Sequence, residues 1–464
     1  LTFLKKYIDI LSLYKINTIH LHLTDDQGWR IEIKKYPKLT SPQNTVFQEK
    51  DKQPSERSGF YTQEEIKDIV QYASDRNIKV IPEIDIPGHS WPTILAYPEL
   101  GVNKKNQPNY VFPFLASWGH WGNQFTPNTL DPTSEKVYTF LDDVFGEIAT
   151  LFPADYIHFG GDEVRHSTWD AEAHVKEFMK KNAMANSGEL QNYFVARVSK
   201  IIQSKGKKPI GWNDILKDSK ALTKETAIMS WLGEESIKDA ASNGFYTVAT
   251  PTGPLYLDIT QADRNDGTMS DLAYSDINSI EAIYNYEPTT SLKPEEEKYV
   301  LGIQANMWTA LPQEVKDMNV QNFPRLLALA EIAWTAKDKR NFTDFEQRLD
   351  KNYPRLDLLK MDYYHKGGYI TGKWSPKDLS NEYKNIEWDV TKKVYTEGRI
   401  QSGFYFTEGK SFMNIKKVGL YADGKLISED IHQGLADKFR GTNKTKTFQY
   451  HLEVKKYDPK AKYT

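Results

Sequence analysis

The sequence contains no cysteine, which removes disulfide cross-links, thiol nucleophiles and thiolate metal sites together. The compartment stays open on that ground, because many exported bacterial proteins also lack cysteine. No apolar run approaches the roughly 18 residues that a membrane-spanning helix needs. Net charge is nearly absent as well. The 60 basic and 63 acidic residues are interspersed and leave -3, so neither nucleic acid nor an anionic membrane is indicated as a partner. There is no glycine-rich nucleotide fingerprint, the residues at the strand ends include no serine nucleophile elbow and no metal-spaced histidine pair, and no cofactor is expected.

Aromatic residues, by contrast, are plentiful: 11 Trp, 27 Tyr and 21 Phe. Most such rings belong in a core. Tryptophans at strand ends are also what a sugar-binding cleft needs, since the C–H face of a pyranose packs on an aromatic ring while its hydroxyls seek polar partners.

Strand and helix patterns alternate along the chain. "LTFLKKYIDILSLYK" has helical spacing, "INTIHLHLT" (16–24) reads as a strand, and residues 62–77 read as a helix opened by Thr62 with Glu65 three positions on. Further strands are expected at 78–85, 156–160, 208–212, 227–231, 245–250 and 299–308, with helical sequence at 133–152, through most of 170–205, and at 323–336 as the last helix of the region. Seven strands alternating with helices imply parallel βαβ units. The fold expected is α/β, a (β/α)8 TIM-type barrel over residues 1–360 whose first strand lies upstream of Leu1. The rival is a doubly wound open sheet. Beyond the linker-like "YHKGGYITGKW", residues 376–464 alternate as strands around Asp-Gly and Glu-Gly turns, which reads as an antiparallel β-sandwich, incomplete at "KAKYT". An opening residue that is not Met is read as the mark of a processed or truncated chain.

In such a barrel the chemistry sits on the loops after the strands. The strand ends carry Thr24-Asp25-Asp26, Glu83-Ile84-Asp85 leading to Gly88-His89, Gly160-Gly161-Asp162-Glu163, and Trp212, Trp231 and Trp308. Acids, one histidine and three tryptophans therefore converge on one face, as acid-catalysed cleavage of a glycoside requires. Adjacent carboxylates are an awkward pair, because neighbours on a strand point to opposite faces. Taken alone, Asp162 reads as a cap of the helix that follows. His20, His22 and His158 read as structural, Trp334 as core, and Glu331 as one half of a structural ion pair. Trp118 and Trp121 read either as a platform beside the leaving group or as anchors of a long loop.

The stretches "NTIHLHLTDDQGWRIEIKKYPKLT", "YTQEEIKDIVQYASDRNIKVIPEIDIPGHS" and "YIHFGGDEV" resemble, in order, glycoside hydrolase family 20, the β-N-acetylhexosaminidases, over about residues 1–345. The resemblance implies a (β/α)8 barrel and a retaining mechanism in which the substrate's 2-acetamido carbonyl is the nucleophile and an oxazolinium ion the intermediate. It makes Glu163 the general acid and base, and Asp162 the residue that holds the acetamido N–H. Tyr256 would donate to the acetamide oxygen, Trp212, Trp231 and Trp308 would wall the sugar, and Asp258 would bind its hydroxyls. Asp25 and His89 resemble a relay that sets the proton state of Glu163. No cofactor is implied, and the partner is a glycan ending in N-acetylhexosamine, met by an exported bacterial enzyme.

Two departures stand out. The family's first-strand arginine, a ligand of sugar hydroxyls, has no counterpart here, and Ala310 in "MWTA" replaces the glutamate of the usual Trp-x-Glu. Two alternatives follow: a relative specific for a 6-modified N-acetylglucosamine, for example sulfated, or for a disaccharide unit; or a glycan-binding protein without catalysis.

Overall fold

The computed structural model describes residues 1–45, 58–105, 128–262, 273–309, 315–364, 381–391, 393–394, 397–405, 415–431 and 447–464. Trp118, Trp121 and Ala310 lie outside these residues. Two compact units are distinguished, Leu1–Thr252 with Glu287–Gln304, and Gly253–Tyr286 with Ala305–Thr464.

The first unit holds one seven-stranded sheet: β1 (Thr18–His22), β2 (Lys79–Ile86), β3 (Tyr156–Gly160), β4 (Lys208–Trp212), β5 (Ala227–Ser230), β6 (Thr247–Ala249) and β7 (Val300–Ile303). Each strand pairs in parallel with the next, so sheet order is chain order. All seven expected strands are present at the expected places, and their arrangement fits a TIM-type barrel. The inner strands read as continuous apolar runs because parallel strands are covered on both faces. Ile84, Ile86, Ile157, Phe159, Ile210, Ala227 and Ile228 are all buried.

Helices occupy the intervening segments: α1 (Thr2–Leu13), α2 (Gln63–Ser74), α3 (Glu135–Leu151), α4 (Ala173–Lys181), α5 (Ser187–Ser204) and α6 (Glu234–Ser242). The start of α2 is the one its sequence announces. Glu65 N donates to Thr62 Oγ1 at 3.2 Å, and Thr62 N donates back to Glu65 Oε2 at 2.8 Å, a reciprocal cap worth about 1 kcal/mol. In α3 the recurrence of Val137, Leu141, Val144, Phe145 and Ile148 buries one stripe. Each such side chain contributes about 1.5–3 kcal/mol on full burial.

In the second unit, α7 (Arg325–Trp334) begins with Arg325, which is wholly buried and donates to the carbonyls of Leu257, Ile259, Asn278 and Gln321. This one side chain ties the backbone at Leu257, Ile259 and Asn278 to the start of the helix. Trp334 departs from expectation, since it is 60% exposed and not core. It is the last residue of its helix, and Leu326, Leu327, Leu329, Ala330 and Ile332 already fill the buried face. Glu331 does form the expected ion pair, bidentate with Arg348 at 2.6 and 2.7 Å, and accepts from Tyr284 Oη. A further helix, α8 (Phe342–Leu358), follows where none is expected; its polar composition and internal Pro354 mask it in the sequence. Farther on, Gly398–Tyr405 pairs antiparallel with Thr447–Val454, and Val418–Ala422 with Lys425–Asp430 across an Asp423-Gly424 turn whose two residues have φ of 49° and 76°. Val394, Leu420, Leu452, Val454, Ala461 and Tyr463 form a small core there. Among the described residues no helix is long and apolar enough to cross a membrane.

Candidate active site

Parallel pairing sets His22 of β1 beside Glu83 of β2, and Glu83 beside His158 of β3. Glu83 is fully buried, and its surroundings account for its charge. Oε2 lies 2.7 Å from His22 Nδ1 and 3.0 Å from His20 Nε2, although the His20 contact lacks hydrogen-bond alignment. Oε1 accepts from Trp212 Nε1 at 2.8 Å and lies 3.1 Å from His158 Nδ1. Burial alone would push the Glu83 carboxyl up, but the His22 imidazole beside it holds it well below the usual range. Of these rings His158 is neutral near pH 7. Burial takes it to about 4, and its Nδ1 accepts from the Gly160 amide at 3.0 Å. The answering cation is therefore His22, whose ring, despite burial, is held well above its usual pKa by Glu83 and Asp25.

After β1 the chain makes a miniature hairpin in which Thr24-Asp25 pairs with Gly28-Trp29. It presents Asp25, whose Oδ2 lies 3.3 Å from His22 Nε2 and whose Oδ1 lies 3.1 Å from His89 Nδ1. Against the effect of burial, His89 and His22 hold Asp25 well below the ordinary carboxylate range. His89 follows β2 in a left-handed conformation, φ 43°, with Ser90 Oγ donating to Gly88 O. Burial works against its charge, yet Asp25 and Asp85 raise its pKa well above the usual imidazole value.

On the other side of His89 lie the two adjacent acids. His89 Nε2 is 3.5 Å from Glu163 Oε2 and 3.8 Å from Asp162 Oδ2. Neither acid is in regular strand: β3 ends at Gly160, and Gly160, Gly161 and Glu163 have φ of 72°, 97° and 47°. The turn of the backbone is what lets neighbours in sequence face one imidazole. Asp162 does not cap the next helix, which spans His166–Asp170 with Arg165 at its cap position. Its side chain is 17% exposed, that of Glu163 26%. Asp162 Oδ1 is buried with no hydrogen-bond partner. Burial first, then the charges of Glu83, Asp214 and Glu163, push its carboxyl up to about 7 against the pull of His89. The loop is braced from α5, where Gln191 Nε2 donates to Gly161 O at 2.9 Å and Gln191 Oε1 meets His166 Nε2 at 2.7 Å.

Gly160 admits no side chain. A Cβ there would overlap Asp85 Oδ1. Gly160→Ala is therefore expected to lower the melting temperature far more than Gly206→Ala. That second glycine has the same conformation, φ 73°, but open space around it, so it carries the backbone cost of about 1–2 kcal/mol alone. Equal losses in the two variants, by thermal denaturation, would show that the contact with Asp85 is unimportant.

Trp212 is only 2% exposed, while Trp231 is half-buried, its indole donating to Asp214 Oδ2 at 2.9 Å. Burial raises the pKa of Asp214. The remaining expected residues belong to the second unit. Tyr256 and Trp308 pack edge to face, ring centroids 6.0 Å apart, and Asn278 Nδ2 donates to Tyr256 O. Asp258 is buried, its Oδ1 without a hydrogen-bond partner, and burial takes its carboxyl to about 7 against the attraction of Arg325.

His20, His22 and His158, expected to be structural, and Glu83, Asp85 and Asp26, with no expected task, are thus part of this cluster. A signal existed. His20-x-His22 and Glu83-x-Asp85 repeat at the period that puts both members of a pair on one face of a strand.

The sequence of residues 1–337 matches the model of the glycosyl hydrolase family 20 catalytic domain. A beta-hexosaminidase of Porphyromonas gingivalis is 40% identical over 364 residues, covering 78% of this chain and 44% of that protein. Another, from Vibrio furnissii, is 37% identical over 343 residues, covering 70% and 53%. The chain thus spans about half the length of these relatives. In three dimensions it is similar to the exo beta-N-acetylglucosaminidase of Vibrio harveyi solved with N-acetylglucosamine, with a TM-score of 0.68, 32% identity, and coverage of 79% of this chain and 56% of that one. By its sequence and by the order of strands that delivers these acids to one face, the chain belongs to glycosyl hydrolase family 20.

Proposed function

We propose that the protein is an exo-acting, retaining β-N-acetylhexosaminidase that removes terminal β-linked N-acetylglucosamine or N-acetylgalactosamine by substrate-assisted catalysis. The observation that carries the reading is the pairing of unlike neighbours. Asp162 offers a buried oxygen with no partner, and Glu163, more exposed, faces an imidazole that a carboxylate holds from behind. One acid is placed to accept an N–H and stabilise positive charge as it develops, the other to exchange a proton with solvent and leaving group. In this mechanism the acetamido oxygen attacks the anomeric carbon as Glu163 protonates the departing oxygen. Glu163 then takes a proton from the water that opens the oxazolinium ion, returning the β-configured sugar. The roles of Tyr256, Trp308 and Asp258 rest on their match to the family's motifs alone. We also read the sheet as seven strands of a (β/α)8 barrel within residues 1–360, residues 376–464 as an accessory antiparallel sandwich, and the enzyme as exported.

Hydrolysis of an aryl N-acetylglucosaminide, with NMR of the first-formed anomer, tests the reaction. A thiazoline shaped like the oxazolinium ion is expected to inhibit at least about 10²-fold more tightly than N-acetylglucosamine, as intermediate mimics do. Product-like affinity for it would sink the internal-nucleophile mechanism. Ala310 favours a second reading within the class, a substrate substituted at O6, because alanine removes an acceptor and a negative charge where the family carries glutamate. A preference for the plain over the 6-sulfated glycoside rejects that reading.

A further inference from the structure

Behind Glu163 the polar contacts continue past the Asp25–His89 pair. In order inward, His89 Nε2 is 3.5 Å from Glu163, Asp25 Oδ1 is 3.1 Å from His89 Nδ1, His22 Nε2 is 3.3 Å from Asp25 Oδ2, and Glu83 Oε2 is 2.7 Å from His22 Nδ1. Carboxylate and imidazole alternate through five residues, from the acid at the loop to a carboxylate wholly inside the sheet. Orienting His89 needs a single oxygen of Asp25. The second oxygen is directed to His22, and His22 is in turn directed to Glu83.

A bland account makes Glu83 and His22 a buried ion pair that ties β1 to β2. That account is weak on energetic grounds, because a buried pair adds little net stability over an apolar pair of similar volume. It also leaves unexplained why the pair continues, through Asp25, to the one imidazole that faces both acids.

We propose that His22 and Glu83 are positioning residues for hydrolysis: clamped between Glu83 and Asp25, His22 fixes the Asp25 carboxylate, which in turn holds His89 against Glu163. The inference rests on the reading of Glu163 as acid and base. Glu83 serves a second element with its other oxygen, which accepts from the indole of Trp212, so one buried carboxylate seats both the relay and an aromatic wall.

The charges fix the sign of the test. Among the described residues, the groups facing His22 include Glu83 and Asp85 from β2, Asp25 from the hairpin after β1, and His158 from β3, with His89 beyond Asp25. A cation at position 22 favours the ionised forms of the acids around it. Removing it favours their protonated forms, and the protonated form of His89 with them. The upper limb of the pH profile of kcat/KM, where the general acid must still carry its proton, then moves to higher pH.

His22→Gln removes the cation directly. Glu83→Gln removes the anion that sustains it, while its amide oxygen still accepts from Trp212. Each is expected to lower kcat on the order of 10–100-fold through misplacement of His89. Each should shift the upper limb upward, and Glu83→Gln should leave KM within about twofold. The double variant should move the limb no further than His22→Gln alone, because Glu83→Gln acts on the limb through the same cation. A uniform loss at every pH with the limb unmoved, or additive shifts in the double variant, overturns the proposal. Absence of hydrolysis by the unsubstituted protein would instead count against Glu163 as acid and base. If His22→Gln does not fold, the near-isosteric Glu83→Gln decides. Independently of any variant, 15N shifts of the His22 ring in the unsubstituted protein are expected to be those of an imidazolium above pH 7, and a ring already neutral below pH 7 overturns the clamp.

Discussion

Glu163→Gln is expected to abolish measurable turnover of N-acetylglucosaminides with sugar or alkyl leaving groups while sparing much of the turnover of a dinitrophenyl glycoside. The side chain keeps its volume and its place beside His89 Nε2 but has no proton to give an oxygen. Protonation in the transition state is worth roughly 10²–10⁴-fold when the leaving group is a poor one, and very little when it departs as a stable anion. In the proposed mechanism Glu163 also serves the second step, where a water attacking the oxazolinium ion must lose a proton. Azide, which needs no base, should therefore restore turnover of the dinitrophenyl substrate and yield the β-glycosyl azide. Equal losses on both kinds of leaving group, without rescue by azide, would falsify the assignment.

Asp162→Asn should cost about 10²–10³-fold in kcat on N-acetyl substrates, the loss typical of removing one preorganised electrostatic partner from a developing charge. Asp162 Oδ1 is buried and without a partner, and in the proposed mechanism this carboxylate accepts the acetamido N–H and balances the oxazolinium ion. The sign of the accompanying pH effect is opposite to that of an ordinary surface acid. In the folded protein burial lifts Asp162 to about 7, above its unfolded value. Its contribution to stability is fully present at pH below the unfolded value and is lost as pH rises through about 7. Asparagine never ionises, so the variant should melt above the unsubstituted protein at pH 8, with the difference closing by about pH 4. Activity and stability would then move in opposite directions at one residue, as strain held for function requires. A variant that is both inactive and less stable at pH 8 would show that the side chain is structural.

Much of this arrangement is legible in the sequence, for reasons that can be named. The seven strands announce themselves because buried parallel strands need unbroken apolar runs, and "IKVIPEID" and "YIHFG" supply them. Thr62 and Glu65 mark a helix start because their spacing lets two backbone amides be satisfied at once. The acids at the strand ends are visible because polar residues closing an apolar run must be there for something other than packing. What stays hidden depends on partners distant in sequence. Glu83 reads as one more strand-end acid until β1 and β3 bring His22 and His158 beside it. Trp334 looks like core because an apolar run does not say which residue falls on its helix's outer side. The conformation that turns Asp162 and Glu163 to one imidazole is suggested by two glycines, yet the left-handed φ of Glu163 itself has no signal in its residue type.

The coincidence of chain order with sheet order bears on how the protein is made. Each strand after β1 finds the strand it follows in the sheet already made, so none of these pairings waits for a distant segment. His22 precedes Glu83 by 61 residues, and the carboxylate meets its imidazole as soon as β2 docks. Trp212 comes 129 residues after Glu83. At translation speeds of about 5–20 residues per second that interval is on the order of ten seconds. The Glu83–His22 pair is therefore complete before Trp212 is made, and the indole closes onto a carboxylate whose imidazole partner is already in place.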